Sequence, residues 1–181
     1  DPAVTVNGES MFSDEKQIYY GNSQGGILGT IFAAISDDVD YSVLGVGAIG
    51  YSLIIERSKD FEPYQDVFFK GYPEVIDRTF ILAMLQTFWD QADGSGYLPL
   101  FDLNPRKRVL MQIGTADRQV SHLGAYAQAI SMGAKTPKPT VRSFYGVEES
   151  EEVINGHAIV EFDYGYEPNP KQNNLPKKYQ L

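Results

Sequence analysis

Lys16-Gln17-Ile18-Tyr19-Tyr20-Gly21-Asn22-Ser23-Gln24-Gly25-Gly26 opens with an aromatic and β-branched run that predicts a strand ending at Gly21. Behind it Ile27, Leu28, Ile31, Phe32 and Ile35 recur at helical spacing, predicting a helix over Gln24 to Ile35. Between the two lies Gly21-Asn22-Ser23-Gln24-Gly25, a G-x-S-x-G pattern in the strand-to-helix setting that gives it physical meaning. A serine in such a turn sits in strained backbone, and the flanking glycines let strand and helix approach closely, with Gly26 adding further room. The helix N-terminus directs its N–H groups and positive dipole end toward the Ser23 hydroxyl, and the Gln24 N–H is one candidate oxyanion donor. The plainer alternative is a small-residue turn that merely joins two elements.

Outward from this turn, Asp37, Asp38 and Asp40 form a polar break, and Tyr41 to Ile49 is a nearly continuous apolar run of the kind found in strands buried on both faces. Residues 58–91 read as helical and aromatic-rich, a cap-like insertion or covering layer with Pro73 opening its second part. Val109-Leu110-Met111-Gln112-Ile113 is a further buried strand leading to Gly114-Thr115-Ala116-Asp117. Ser121 caps a helix through about Met132, with Gly133 as its stop. Thr140 to Val147 and Ala158 to Tyr164 read as two more strands, followed by an extended Pro-, Asn- and Lys-rich tail over 167–181. Strands alternating with helices predict a single α/β domain over 1–181, with a mainly parallel sheet flanked by helices and no internal repeat.

The composition fits such a domain: 181 residues, 43% hydrophobic and 22% charged. A net charge of −9 argues against a protein that wraps nucleic acid or coats an anionic membrane. No stretch reaches the roughly 20 apolar residues of a membrane span, and Asp1-Pro2-Ala3-Val4 lacks the pattern of a signal peptide. The absence of cysteine excludes disulfides, a thiolate nucleophile and Cys-ligated metal, and His122 and His157 are the only histidines.

A serine nucleophile needs a base, and the base needs an orienting carboxylate. Asp117 follows a strand, at the sheet edge where open α/β sheets place their sites, although a loop Asp also caps turns. His157, in the Asn155-Gly156-His157 loop, is the preferred base within the chain, and His122 reads as a surface or helix-start residue. The strand expected after His157 is a weakness, because a helix normally follows the histidine loop of this arrangement. Three other patterns compete. Gly45-Val46-Gly47-Ala48-Ile49-Gly50 matches the dinucleotide fingerprint, but no second strand delivers Asp66. Asp90, Asp93 and Ser95 suggest a calcium loop without its remaining ligands. Phe61, Tyr64, Phe68, Phe69, Tyr72, Phe80, Phe88 and Trp89 suit either packing or an acyl or aromatic pocket, with packing the commoner use of such residues.

Tyr19 to Gly26, Leu44-Gly45-Val46-Gly47, Glu56-Arg57-Ser58-Lys59-Asp60-Phe61 and Trp89-Asp90 near Gly96-Tyr97 together make residues 16–175 resemble the α/β-hydrolase superfamily, in particular a little-characterised and often exported bacterial group. The resemblance implies a serine hydrolase acting on a small-molecule carboxylic ester, less readily an amide, through an acyl-enzyme. Ser23 is then the nucleophile, Asp117 the acid, His157 the base within this chain and Gln24 an oxyanion donor; no metal or organic cofactor is called for. An extracellular or periplasmic location also follows from the likeness. Such hydrolases place several strands and a second oxyanion donor before the serine, so the fold is expected to be incomplete on its N-terminal side, with another polypeptide or chain portion supplying the strands. Relatives continue past Asn173-Asn174-Leu175-Pro176 into a further His-containing segment, which makes a base beyond Leu181 the alternative to His157. A non-catalytic, hydrolase-like subunit serving as an assembly or binding partner is the other reading, because an incomplete sheet exposes an edge for another chain to cover.

Overall fold

The computed structural model describes residues 4–10 and 17–165, so Lys16 and the expected tail over 167–181 lie outside the described residues. A small hairpin of β1 (Thr5–Val6) and β2 (Glu9–Ser10) precedes the main sheet. That sheet comprises β3 (Gln17–Asn22), β4 (Val39–Gly45), β5 (Arg108–Gly114), β6 (Lys135–Pro137), β7 (Glu148–Ser150) and β8 (Ala158–Phe162). Its spatial order is β3-β4-β5-β8-β6-β7, and every pairing is parallel. The helices are α1 (Gln24–Ile35), α2 (Tyr51–Ile54), α3 (Glu62–Gly71), α4 (Val75–Trp89), α5 (Pro99–Leu103) and α6 (His122–Ser131). The mainly parallel α/β architecture expected from the sequence is therefore present.

From β3 through β4 to β5 the chain advances across the sheet in one direction, so right-handed crossovers place their helices on a single face. The contacts agree: Tyr19 faces α1 through a ring contact with Phe32 at 4.9 Å, and Gln128 of α6 donates to Thr30 Oγ1 of α1 at 3.0 Å. Leu44, Val109, Met111, Ile113 and Ile159 fill the space between this helical layer and the sheet. Side chains alternate along a strand, so Ile18 and Tyr20 point to the opposite face, where they are 69% and 64% exposed.

Several expectations are corrected. β4 stops at Gly45 rather than running to Ile49, because Val46 takes a positive φ of 42° and turns the chain out of the sheet. Thr140 to Val147 is not a strand but bends and turns between β6 and β7. Pro139, just before this stretch, cannot donate to a ladder, and the Arg142 and Phe144 side chains instead pack around Tyr126. The helical segment between β4 and β5 starts earlier than residue 58, at Tyr51. Its longer helices pack less than their apolar sequence suggests, since α3 buries no residue fully and α4 buries only Arg78 and Leu82. Arg78 ties the start of α4 to the end of α3 by donating to the Tyr72 and Pro73 carbonyls, each at 2.8 Å, and by lying over the Phe69 ring. No helix among the described residues is long and apolar enough to cross a membrane.

Candidate functional site

Ser23 occupies the single-residue turn between β3 and α1 with φ 56° and ψ −120°, a conformation an L-residue adopts only when its surroundings impose it. Those surroundings are tight. The Ser23 N–H donates to the Gly45 carbonyl at 2.8 Å, tying the turn to the end of β4. A Cβ on Gly26 would stand 2.6 Å from that same carbonyl oxygen, and one on Gly47 would stand 2.7 Å from the Gly26 backbone. The glycines at 21, 26 and 47 thus permit the contact of strand, helix and loop that holds the serine. Tyr19 reinforces it by donating its hydroxyl proton to the Gly25 carbonyl at 2.8 Å. Gln24 is the first residue of α1, so its N–H is one of the helix-terminal donors without an intrahelical acceptor.

Asp117 lies in the loop that leaves the C-terminal end of β5, at the same end of the sheet as Ser23. Register fixes this placement: Asn22 pairs with Gly45 and Gly45 with Gln112, so both residues follow the last paired positions of their strands. Asp117 Oδ1 accepts from the Gln119 and Val120 N–H groups at 2.8 and 2.9 Å, which holds the carboxyl in one orientation. The insertion braces this loop, because the Lys59 N–H donates to the Arg118 carbonyl at 2.8 Å and Gln119 Nε2 reaches Asp60 at 3.3 Å.

His157 is not brought to this end. It immediately precedes Ala158, which pairs with Leu110 near the start of β5, and its Nδ1 accepts from the Val109 N–H at 3.2 Å. Counting strand rise and spacing, it lies about 13 Å along the strands and about 14 Å across them from Ser23. Its ring packs edge-on against Phe101 at 5.6 Å, and burial together with Arg108 pushes its pKa below the usual histidine range. The other histidine, His122, starts α6 at the C-terminal end of the sheet. Burial lowers its pKa too, as does Arg142, while Glu161 and Asp117 oppose that shift. Of the two expectations, a surface or a helix-start residue, it takes the second, and it is half-buried.

Two clusters take roles that the sequence does not reveal. Glu161, buried on β8, accepts from Tyr126 OH at 2.8 Å and from Arg142 Nη2 at 2.7 Å, and burial followed by the bond to Glu161 raises the Tyr126 pKa. Residues so far apart in sequence leave no local pattern. The other is Asp93, whose carboxyl accepts the Gly50 and Tyr51 N–H groups at 3.0 and 2.8 Å and two donors from Ser95. Those donors occupy the oxygens that a calcium-loop reading would have aimed at a cation. Likewise, Gly45 to Gly50 are engaged in backbone packing, and Asp66 sits exposed within α3 rather than at a strand end. Among the described residues no group of three or more His, Cys, Asp or Glu side chains is placed to hold a metal ion.

Comparison with known proteins finds no matching family model, no match among curated proteins and no match among solved structures. The geometry above therefore carries the functional reading alone.

Proposed function

We propose that this chain forms the serine-bearing portion of an α/β-hydrolase-type enzyme that cleaves a carboxylic ester, less readily an amide, through an acyl-enzyme. The observation that carries the reading is the backbone of Ser23, held at φ 56° and ψ −120° between a parallel strand and a helix N-terminus. Its Oγ attacks the substrate carbonyl carbon while its proton passes to a histidine. The developing oxyanion faces the Gln24 N–H and the start of α1. Collapse expels the alcohol, which takes the proton from the histidine, and water then cleaves the acyl-serine bond by the same steps in reverse order. Asp117 orients the histidine from the neighbouring loop.

His157, at the far end of the sheet, does not suit the base. A base for Ser23 has to reach the other end of the sheet, where β8 finishes beside the Asp117 loop, the Thr115 N–H donating to the Phe162 carbonyl at 3.0 Å, and where His122 starts α6. The second oxyanion donor and the strands that extend the sheet come from further polypeptide. From Gln17 to Ser36 the chain carries no charged side chain or histidine. Among the described residues β3 is the end strand of its sheet, and Ile18, Tyr20, Leu28, Phe32 and Ile35 are exposed. Charge is the usual protection of an open sheet edge, so an uncharged one suits coverage by another strand.

The same surface favours a second reading, a hydrolase-like subunit that binds partners without catalysis. A fluorophosphonate probe separates the two. Treated as the intact protein, the enzyme takes up the phosphonyl group on Ser23 and S23A does not. Probe excluded from a solvent-accessible Ser23 would remove the catalytic reading and leave the binding one.

A further inference from the structure

We infer that Asp93 is a positioning residue for Ser23, acting through the glycine-rich loop 46–50; this rests on Ser23 being the nucleophile. The loop needs an external hold. It runs Val46-Gly47-Ala48-Ile49-Gly50, and it ends on Gly50 in the left-handed region at φ 77°, where it caps α2 with no side chain of its own. The first N–H groups of α2 would lack acceptors. Asp93, distant in sequence and 1% exposed, supplies them: Oδ1 accepts from Gly50 N–H at 3.0 Å and Oδ2 from Tyr51 N–H at 2.8 Å. Gln86 Oε1 takes the next, from Ser52, at 2.9 Å.

The carboxyl is itself fixed. Oδ1 also accepts from the Ser95 N–H at 2.8 Å, the one proton of the Ser95 hydroxyl is shared between Asp93 and Asp90, each oxygen at 2.8 Å, and Gln86 completes the cluster around Ser95. Gly94, the neighbour of Asp93, is wedged between the loop and α1: a Cβ there would stand 2.7 Å from Thr30 and 2.9 Å from Ile49. On its other side the loop meets Gly124 of α6, through Ile49 N–H to the Gly124 carbonyl at 3.5 Å.

At its opposite end the loop becomes the wall behind the serine. Gly47 abuts the Gly26 backbone, and the Gly45 carbonyl just before the loop accepts the Ser23 N–H. A continuous path of short contacts therefore joins the buried carboxyl to the strained turn. A loop with glycines at 47 and 50 has little stiffness of its own, so release of its anchored end lets the wall retreat and the Ser23 backbone relax toward an unstrained conformation. A displacement of about an ångström at a nucleophile is enough to cost a large rate factor.

Three substitutions in the intact protein test this, read by the rate at which a fluorophosphonate labels Ser23, below the melting temperature of each variant. D93A removes every bond the carboxyl accepts and is expected to slow labelling by about tenfold or more. D93N keeps an acceptor at the Oδ1 position and is expected to fall between D93A and the natural protein. V109A, a core truncation at the other end of the sheet, controls for lost stability and should label at the natural rate once folded. Amide hydrogen exchange at Gly50 and Tyr51 reports the anchor directly and should accelerate in D93A but not in V109A. Natural-rate labelling in a folded D93A or D93N whose Tyr51 amide has lost protection would overturn the inference and leave Ser23 as nucleophile. Equal slowing in V109A would also overturn it. A natural protein that never labels would instead overturn the nucleophile reading, and this role with it.

Discussion

The two ends of the parallel sheet are built on different principles. At the C-terminal end the backbone is unusual: Ser23 and Val46 have positive φ, glycine meets glycine at 26 and 47, and loops rather than side chains shape the surface. At the N-terminal end the positive φ angles, at Gly133 and Gly146, fall on glycines that adopt them without strain, and buried polar side chains hold strands together. Lys107, 3% exposed, reaches the Ser36 carbonyl and donates to the Val39 carbonyl at 2.6 Å, while His157 accepts from Val109. Strained backbone costs stability and persists where its surroundings impose it, whereas satisfied side chains contribute stability without shaping a cleft. The contrast teaches where to look for chemistry in this fold: at the end where conformation is forced, even though the more conspicuous histidine lies at the other.

The most direct way to break that contrast is to crowd the forced end. Gly26→Ala places a methyl group 2.6 Å from the Gly45 carbonyl oxygen, a backbone atom that cannot step aside without moving β4. A loss of about 3 kcal/mol or more in denaturant unfolding is expected. Labelling of Ser23 should fall further than that loss accounts for, measured where the variant is still folded. An alanine tolerated without change in either quantity would mean that the close contact of strand, helix and loop is not what holds the serine.

The other end should respond in stability alone. Lys107→Met keeps the length of the buried stem but strips the Ser36 and Val39 carbonyls of their donor, at a cost of about 2–4 kcal/mol. Urea denaturation should show the drop, while the labelling rate of the folded fraction stays as in the natural protein. If the rate falls in proportion instead, the two ends are coupled and the separation drawn between them does not hold.

What the sequence made legible follows the same division. Some local patterns are legible: α1 spans Gln24–Ile35 as its apolar spacing requires, Ser121 caps α6 by accepting from the Leu123 N–H, and β5 covers the expected run, whereas the apolar run past Gly45 and the stretch over Thr140–Val147 do not form the strands they suggest. The turn at Ser23 was legible because a strand, a helix and small residues lie together within a dozen positions. Which end of the sheet a residue reaches was not. His157 precedes its strand and Asp117 follows its own, and only the parallel register of β5 with β8 turns that difference into opposite ends. The role of Asp93 was not legible for a related reason: its acidic neighbourhood is local, but its acceptor role is defined by Gly50 and Tyr51, distant in the chain. The exposure of α3 and α4 was hidden as well, since an apolar helix reads alike whether it is covered by its own chain or not.

The smallest expected effect is on pH dependence, and it places His157 on one side of the contrast. Its pKa in the folded protein lies below the ordinary value of 6.5, first through burial and then through Arg108, so the unfolded chain binds a proton more readily than the folded one. Stability is then full above the unfolded pKa and declines as pH falls through it toward the folded value. His122, lowered in the same direction, adds to the trend. His157→Asn carries an acceptor that can still take the Val109 N–H but does not titrate. Its melting temperature should therefore drop less than that of the natural protein between about pH 7.5 and 5.5, where histidines change charge. Labelling of Ser23 at the upper pH should be unaltered. A variant that melts normally there yet no longer labels would tie His157 to the Ser23 end of the sheet and break the contrast.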